Sequence, residues 1–144
     1  MPRWFAMLLL LLGSLPAVPA LGQTSVDAAV DAAPIREVIT RQMDAFRRDD
    51  GIEAFSYAAP GIRETFRTPE RFMAMVKEGY AAVYRPAHVQ FVDLTVEDGA
   101  LVQRVHVVGA DGDAYMAHYA MQQMPDGSWK ISAVWVERLP DVAV

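Results

Sequence analysis

The chain has 144 residues, with 13 Lys and Arg against 18 Asp and Glu, three His and no Cys. Without cysteine there is no disulfide framework, no lipid-modified N-terminal cysteine and no thiol nucleophile, so the fold rests on its hydrophobic core. A formal net charge of −5 argues against broad binding to nucleic acid or to an anionic membrane, since both draw on basic patches.

Residues 1–22, MPRWFAMLLLLLGSLPAVPALG, carry Arg3 at the start, an apolar core from Trp4 to Leu15 and small residues beyond it. That layout predicts a secretory signal peptide. The apolar run is too short for a spanning helix, which needs roughly 20 apolar residues. Cleavage after Ala20 or after Gly22 fits equally well. The expected product is an exported, periplasmic protein with no stable membrane insertion. Residues 23–33 read as a flexible lead-in, 34–138 as one domain and 139–144 as a tail.

Pro34 suits a first helical turn, with Asp31 or Ala33 near the cap. From there Ile35, Val38, Ile39, Gln42, Met43 and Phe46 recur at three- and four-residue spacing, which predicts an amphipathic helix with one buried stripe. The next stretch, RRDDGIEAF, sets two carboxylates side by side. Asp50 and Glu53 have the spacing of a capping box that opens a second helix through Ile52, Phe55 and Ala59. Asp49 falls in the connection, within reach of water, Arg47 or Arg48. An architectural role fits the pair better than chemistry, because catalytic carboxylates face one another in a desolvated site. Pro60 and Gly61 are expected to end this helix. Thr68 and Pro69 open a third, with Phe72, Met75 and Val76 on its apolar face and Gly79 at its end.

The second half divides into strand-like segments 87–97, 100–109, 114–124 and 128–137, separated by EDGA, ADGD and PDGS. Asp-Gly between such runs is a strong hairpin signal. Read as three two-residue turns, these place Leu94 opposite Gln103, Val105 opposite His118 and His118 opposite Trp135. One face then collects Val92, Leu94, Val96, Leu101, Gln103, Val105, Val107, Met116, His118, Ala120, Gln122, Trp129, Ile131, Ala133 and Trp135, and is expected to receive the helices. A β-bulge near Phe91 or Val92 reconciles a change of phase in the first strand. The opposite face keeps Val89, Phe91, Val102, Val108, Tyr115, Tyr119, Met121, Val134 and Val136. An apolar surface of that kind predicts a homodimer, or a heteromeric partner, through the outer sheet face.

The predicted class is therefore α+β: about three N-terminal helices packed on a curved four-stranded antiparallel sheet. This arrangement resembles the cone-shaped cystatin-like folds, including the nuclear transport factor 2-like superfamily, whose helices and bent sheet enclose a pocket. The stretches IREVITRQMDAFRRDDGIEAFSYAAPGIRETF, TPERFMAMVKEGYAAVYRP and MPDGSWKIS more closely resemble an uncharacterised family of short secreted bacterial proteins, the domain of unknown function 4864 family. That resemblance implies no activity.

Polar residues on inward surfaces are the candidate ligand-binding groups: Gln42 on the first helix, and Gln103, His118 and Gln122 on the sheet. Each needs a hydrogen-bond partner, whether internal or supplied by a ligand. Tyr80, Tyr84 and Arg85 cluster where the last helix meets the first strand, a setting for a carboxylate or phosphate, or simply for a local ion pair. His118 is the candidate acid-base group. No HxH or HExxH spacing, nucleophile elbow or phosphate loop is present, so no metal and no cofactor is expected. The leading reading is a non-catalytic domain binding a small ligand or a protein partner. The alternative is a pocket enzyme using His118 for proton transfer or hydrolysis.

Overall fold

A computed structural model describes residues 30–141. Five helical segments precede four strands: α1 (Ala33–Arg47), α2 (Gly51–Ser56), α3 (Pro60–Phe66), α4 (Pro69–Gly79), α5 (Ala81–Tyr84), β1 (His88–Glu97), β2 (Ala100–Val108), β3 (Ala114–Gln123) and β4 (Trp129–Arg138). The strands form one antiparallel sheet in chain order. The α+β class and the four strands agree with the sequence reading. The expected leader, most of the lead-in and the last residues of the tail lie outside the described residues.

Two of the five helices were not expected. Pro60 does not end α2; it opens α3 from an extended Ala59, because proline lacks the N–H that a first-turn position leaves unbonded anyway. After Gly79 the chain makes one more turn, α5, which buries Val83. The caps follow the sequence: the Asp50 side chain accepts Glu53 N–H (3.0 Å), and Thr68 Oγ1 accepts Arg71 N–H (3.2 Å).

The three Asp-Gly turns are of two kinds. Asp98 and Gly99 both have positive φ (49° and 77°), as a two-residue turn between Glu97 and Ala100 requires. In the other two loops only the glycine is left-handed, Gly112 at 84° and Gly127 at 86°. There Gly112 N–H bonds Gly109 O (3.0 Å) and Gly109 N–H bonds Asp113 O (2.9 Å), which closes a three-residue loop. The Asp111 and Asp126 carboxylates accept the N–H groups of Asp113 and Ser128, both at 2.9 Å, an arrangement that holds the aspartate as part of the turn.

That extra loop residue overturns the expected face of β3. Val105 pairs with Ala117, not His118. A one-residue slip exchanges the two faces of a strand, so Ala117, Tyr119 and Met121 point to the helices, while Met116, His118, Ala120 and Gln122 point away. The predicted pairing of His118 with Trp135 does hold, so the change passes to the far half of β4. Val134 and Val136 turn inward, and Trp135 turns outward. Near the turn, a bulge at Ser132 keeps Trp129 and Ile131 inside. The bulge expected in β1 is present between Phe91 and Asp93, and it turns Val92 outward.

The apolar outer surface proposed from sequence accordingly loses its substance. Tyr119 is fully buried, and Val89, Phe91, Tyr115, Met121, Val134 and Val136 all pack against or within the core that joins the sheet to α1 and α5. Those residues no longer give ground for expecting a homodimer, while Val102 keeps its place on the outer face opposite Ala120. A second cluster, Phe46, Phe55, Phe72, Met73 and Val76 among others, binds α1, α2 and α4 together. Edge strand β4 is covered by the α2–α3 connection: Ala59 N–H bonds Ile131 O (2.8 Å), and Ile131 N–H bonds Tyr57 O (2.9 Å).

Tyr119 makes a specific prediction. Its buried hydroxyl has no hydrogen-bond partner among the described residues, and burial alone pushes its pKa up. Tyr119→Phe should therefore leave stability at neutral pH unchanged or raise it by roughly 1 kcal/mol, read as the midpoint of urea unfolding. Above about pH 10 the unfolded chain releases this proton while the folded chain retains it, so wild-type stability falls and the Phe variant gains further advantage. A loss of several kcal/mol in Tyr119→Phe would show that the hydroxyl is bonded after all.

Candidate functional site

A cavity of about 340 Å³ lies at the seam between the two clusters. Gln42 and Phe46 line it from α1, Ile62 and Phe66 from α3, and Phe72, Met75 and Val76 from α4. Val83 of α5 and Ile131, Ala133 and Val134 of β4 complete the wall, with Tyr80 at the α4–α5 junction. The wall exists because Phe72 is shared: its ring meets Phe46 at 6.2 Å, Phe55 at 5.2 Å and Phe66 at 6.1 Å between centroids. Those tilted and edge-on approaches hold α3 and α4 against α1 at a distance their side chains do not fill.

The polar groups on this wall are Gln42 and Tyr80. Gln42 is buried and donates through Nε2 to Ala54 O (3.2 Å). Tyr80 donates its hydroxyl to Val134 O (3.2 Å). Among the described residues, no carboxylate, histidine, lysine or arginine is part of the lining.

Of the other sequence candidates, Gln103 is fully buried on the inner face, where Nε2 donates to Asp93 O (2.9 Å) and Arg104 O (3.0 Å) beside the β1 bulge. Its amide serves backbone carbonyls at an irregularity. Gln122 is exposed on the outer face, contrary to the inward position expected of it. His118 is also on the outer face, separated from the cavity by the sheet, and therefore is not a base for anything held there. It stacks on Trp135 (centroids 5.0 Å apart, planes 6° apart), with Glu97 Oε1 3.8 Å from Nδ1 and Glu137 Oε2 3.5 Å from Nε2. Neither ring nitrogen has a hydrogen-bond partner among the described residues.

Tyr84 and Arg85 form a different constellation, around Asp49. Its carboxylate accepts the Tyr84 hydroxyl and pairs with Arg85 (3.0 Å) and Lys77 (3.7 Å), while Arg85 Nη1 also donates to Arg47 O (2.8 Å). The local ion pair is thus what Arg85 makes. Asp49 belongs to this cluster rather than to Arg47 or Arg48. Among the described residues no group of three or more His, Asp and Glu is placed to hold a metal ion, and no helix is long and apolar enough to cross a membrane.

The family described as domain of unknown function (DUF4864) matches residues 28–144. The chain belongs to this family. Comparison with curated proteins and with solved structures returned no match. For a DUF4864 chain the site must therefore be read from its own geometry. Sequence reasoning missed most of the cavity wall, Phe66 and Val134 above all. The detectable signal was the aromatic density of Phe46, Phe55, Phe66 and Phe72 within one short helical region.

The paired aspartates yield a second prediction. Asp50→Ala removes the cap of α2 and should cost about 0.5–2 kcal/mol. The Asp49 carboxyl is held below its ordinary value, first by the Tyr84 hydroxyl and then by Lys77 and Arg85, against opposing desolvation. A depressed folded-state pKa gives stability that is present above the unfolded value and is lost as pH falls through the folded one. Asp49→Asn should therefore lose its deficit relative to wild type below about pH 4, whereas the Asp49→Ala deficit should persist in part, because Asp49 has φ of 52° and asparagine tolerates that region better than alanine. Parallel acid-unfolding curves for wild type and Asp49→Asn would contradict this assignment.

Proposed function

We propose that this protein is an exported ligand-binding domain whose cavity holds a small apolar molecule without chemical turnover. The supporting observation is the cavity wall itself: aliphatic and aromatic side chains from four helical segments and β4, joined by Gln42 and Tyr80, each already donating to the backbone. Small-molecule sites are concave, mostly apolar and about 300–1,000 Å³ in volume, with few polar groups to orient the occupant. The present cavity falls at the small end of that range. Helices laid over a sheet bent by bulges at Val92 and Ser132 also support the finer reading of the fold as a cystatin-like cone, with the cavity as its interior.

Export rests on the leader read in residues 1–22. The mature N-terminus should be Leu21 or Gln23 by intact-mass analysis of periplasmic material; recovery of the full-length chain from the inner membrane would reject this part of the reading.

Binding is tested with the neutral, apolar fluorophore N-phenyl-1-naphthylamine, whose emission rises on leaving water. Wild type should bind it saturably. Val134→Trp, which projects extra volume into the cavity, should weaken binding by roughly tenfold or more while circular dichroism stays native. Unchanged affinity in a folded Val134→Trp protein would place the dye elsewhere and refute the cavity as its site.

A further inference from the structure

Resting on the reading of this cavity as a ligand site, the way its wall is held sets one element apart. Each of α1, α2, α4 and α5 buries at least one side chain, whereas α3 buries none. It reaches the cavity through Ile62 and Phe66, one helical turn apart and both only partly buried. Little holds these two in place. Phe66 meets Phe72 edge-on at 6.1 Å, and the Arg63 guanidinium lies 5.6 Å from the centroid of the Phe55 ring. Among the described residues, the hydrogen bonds of residues 60–67 all stay between Ala59 and Thr68.

The two ends of the segment are fixed. Buried Ala59 gives its N–H to Ile131 O (2.8 Å), and Thr68 caps α4 by accepting Arg71 N–H (3.2 Å). Between these anchors the helix itself is weak. Its seven residues are fewer than an isolated helix needs, and Gly61 stands in its first turn. Arg67, which ends it, has φ of 68°, a conformation that is costly for a residue with a Cβ and is released when the segment opens. A segment with few buried contacts and only local hydrogen bonds opens far more often than the whole fold does. Phe46, Phe72, Val76 and Ile131, on the rest of the wall, are buried and stay in place when it does. We propose that α3 is the gate of the cavity: it unwinds between Ala59 and Thr68, withdraws Ile62 and Phe66 to admit an occupant, and re-forms over it.

A gate acts on rates. A substitution that shifts the closed form equally in the empty and filled protein changes entry and exit by the same factor and leaves Kd alone. Gly61 and Arg63 suit this test, because both are exposed and neither lines the cavity. A methyl added at Gly61 meets nothing within 4 Å and strengthens the helix, whereas Arg63→Gly weakens the helix and removes the contact with Phe55. The experiment is stopped-flow fluorescence of N-phenyl-1-naphthylamine with the mature protein. Gly61→Ala should slow entry and exit alike by about twofold to fourfold, and Arg63→Gly should speed both by roughly tenfold, with Kd within about twofold of wild type. Should Arg63→Gly not fold, Gly61→Ala decides alone. Saturable binding with rates unchanged in the folded variants, or a change in exit alone that appears in Kd, would show α3 to be a static wall and overturn the gate while leaving the cavity as a binding site. Absence of saturable binding by wild type would overturn the cavity reading and the gate with it.

Discussion

Which residues the sheet shows to the helices depends on the turn at Ala110–Gly112. A strand has a side-chain period of two, so adding one residue to a connection does not perturb the next strand slightly; it inverts it. The left-handed Gly112 and the Asp111 carboxylate bonded to Asp113 N–H make the three-residue closure the stable one. Ala117, Tyr119 and Met121 consequently enter the core, and His118 leaves it. The shared core of α1, α5 and the sheet, and the separation of the histidine from the cavity, both follow from that one loop.

The bulge at Ser132 has a related consequence for β4. With regular pairing throughout, this strand would show the helices either Trp129 and Ile131 or Val134 and Val136, but not both pairs. The extra residue lets both face inward. Ile131 also donates its N–H to Tyr57 O and accepts Ala59 N–H, which fixes the second helical cluster to the edge of the sheet. Two clusters held at one edge and joined through Tyr80 do not close completely. The cavity is the part of their seam that the Phe72 aromatic group leaves unfilled.

Local features were legible in the sequence and long-range ones were less so, for identifiable reasons. The Asp50 and Thr68 caps, the apolar stripe of α1, the four strands and the bulge near Val92 each depend on residues close together in the chain. Asp98–Gly99 and Asp111–Gly112 share a dipeptide yet close differently, because φ at the aspartate is positive in one and not in the other. Composition does not encode that choice. In the candidate site, Gln42 was identified as an inward polar group and Tyr80 as one of a cluster with Tyr84 and Arg85 at the helix-to-strand junction, whereas His118 and Gln122 were misplaced by the turn and Arg85 is committed to Asp49. The partnership of Asp49 with Tyr84 and Arg85 spans some 35 residues, and no local pattern announces it.

The inward polar side chains share one structural habit that bears on recognition. Gln42, Gln103 and Tyr80 each donate to a backbone carbonyl at an irregular or peripheral place: the short helix α2, the β1 bulge and the edge strand β4. Carbonyls at such places have spare lone pairs, and a buried donor nearby is the usual way of occupying them. Satisfying the backbone in this manner consumes both amide donors of Gln103 and the hydroxyl proton of Tyr80, whereas Gln42 commits one N–H and keeps the second. For Gln103, enclosed in the core, the leftover Oε1 is an isolated cost. Gln42 and Tyr80 instead line the cavity, Gln42 with an N–H and an acceptor beyond its bond to Ala54 O and Tyr80 with acceptor lone pairs. The polarity of the candidate site is therefore inherited from the way the fold satisfies its own main chain.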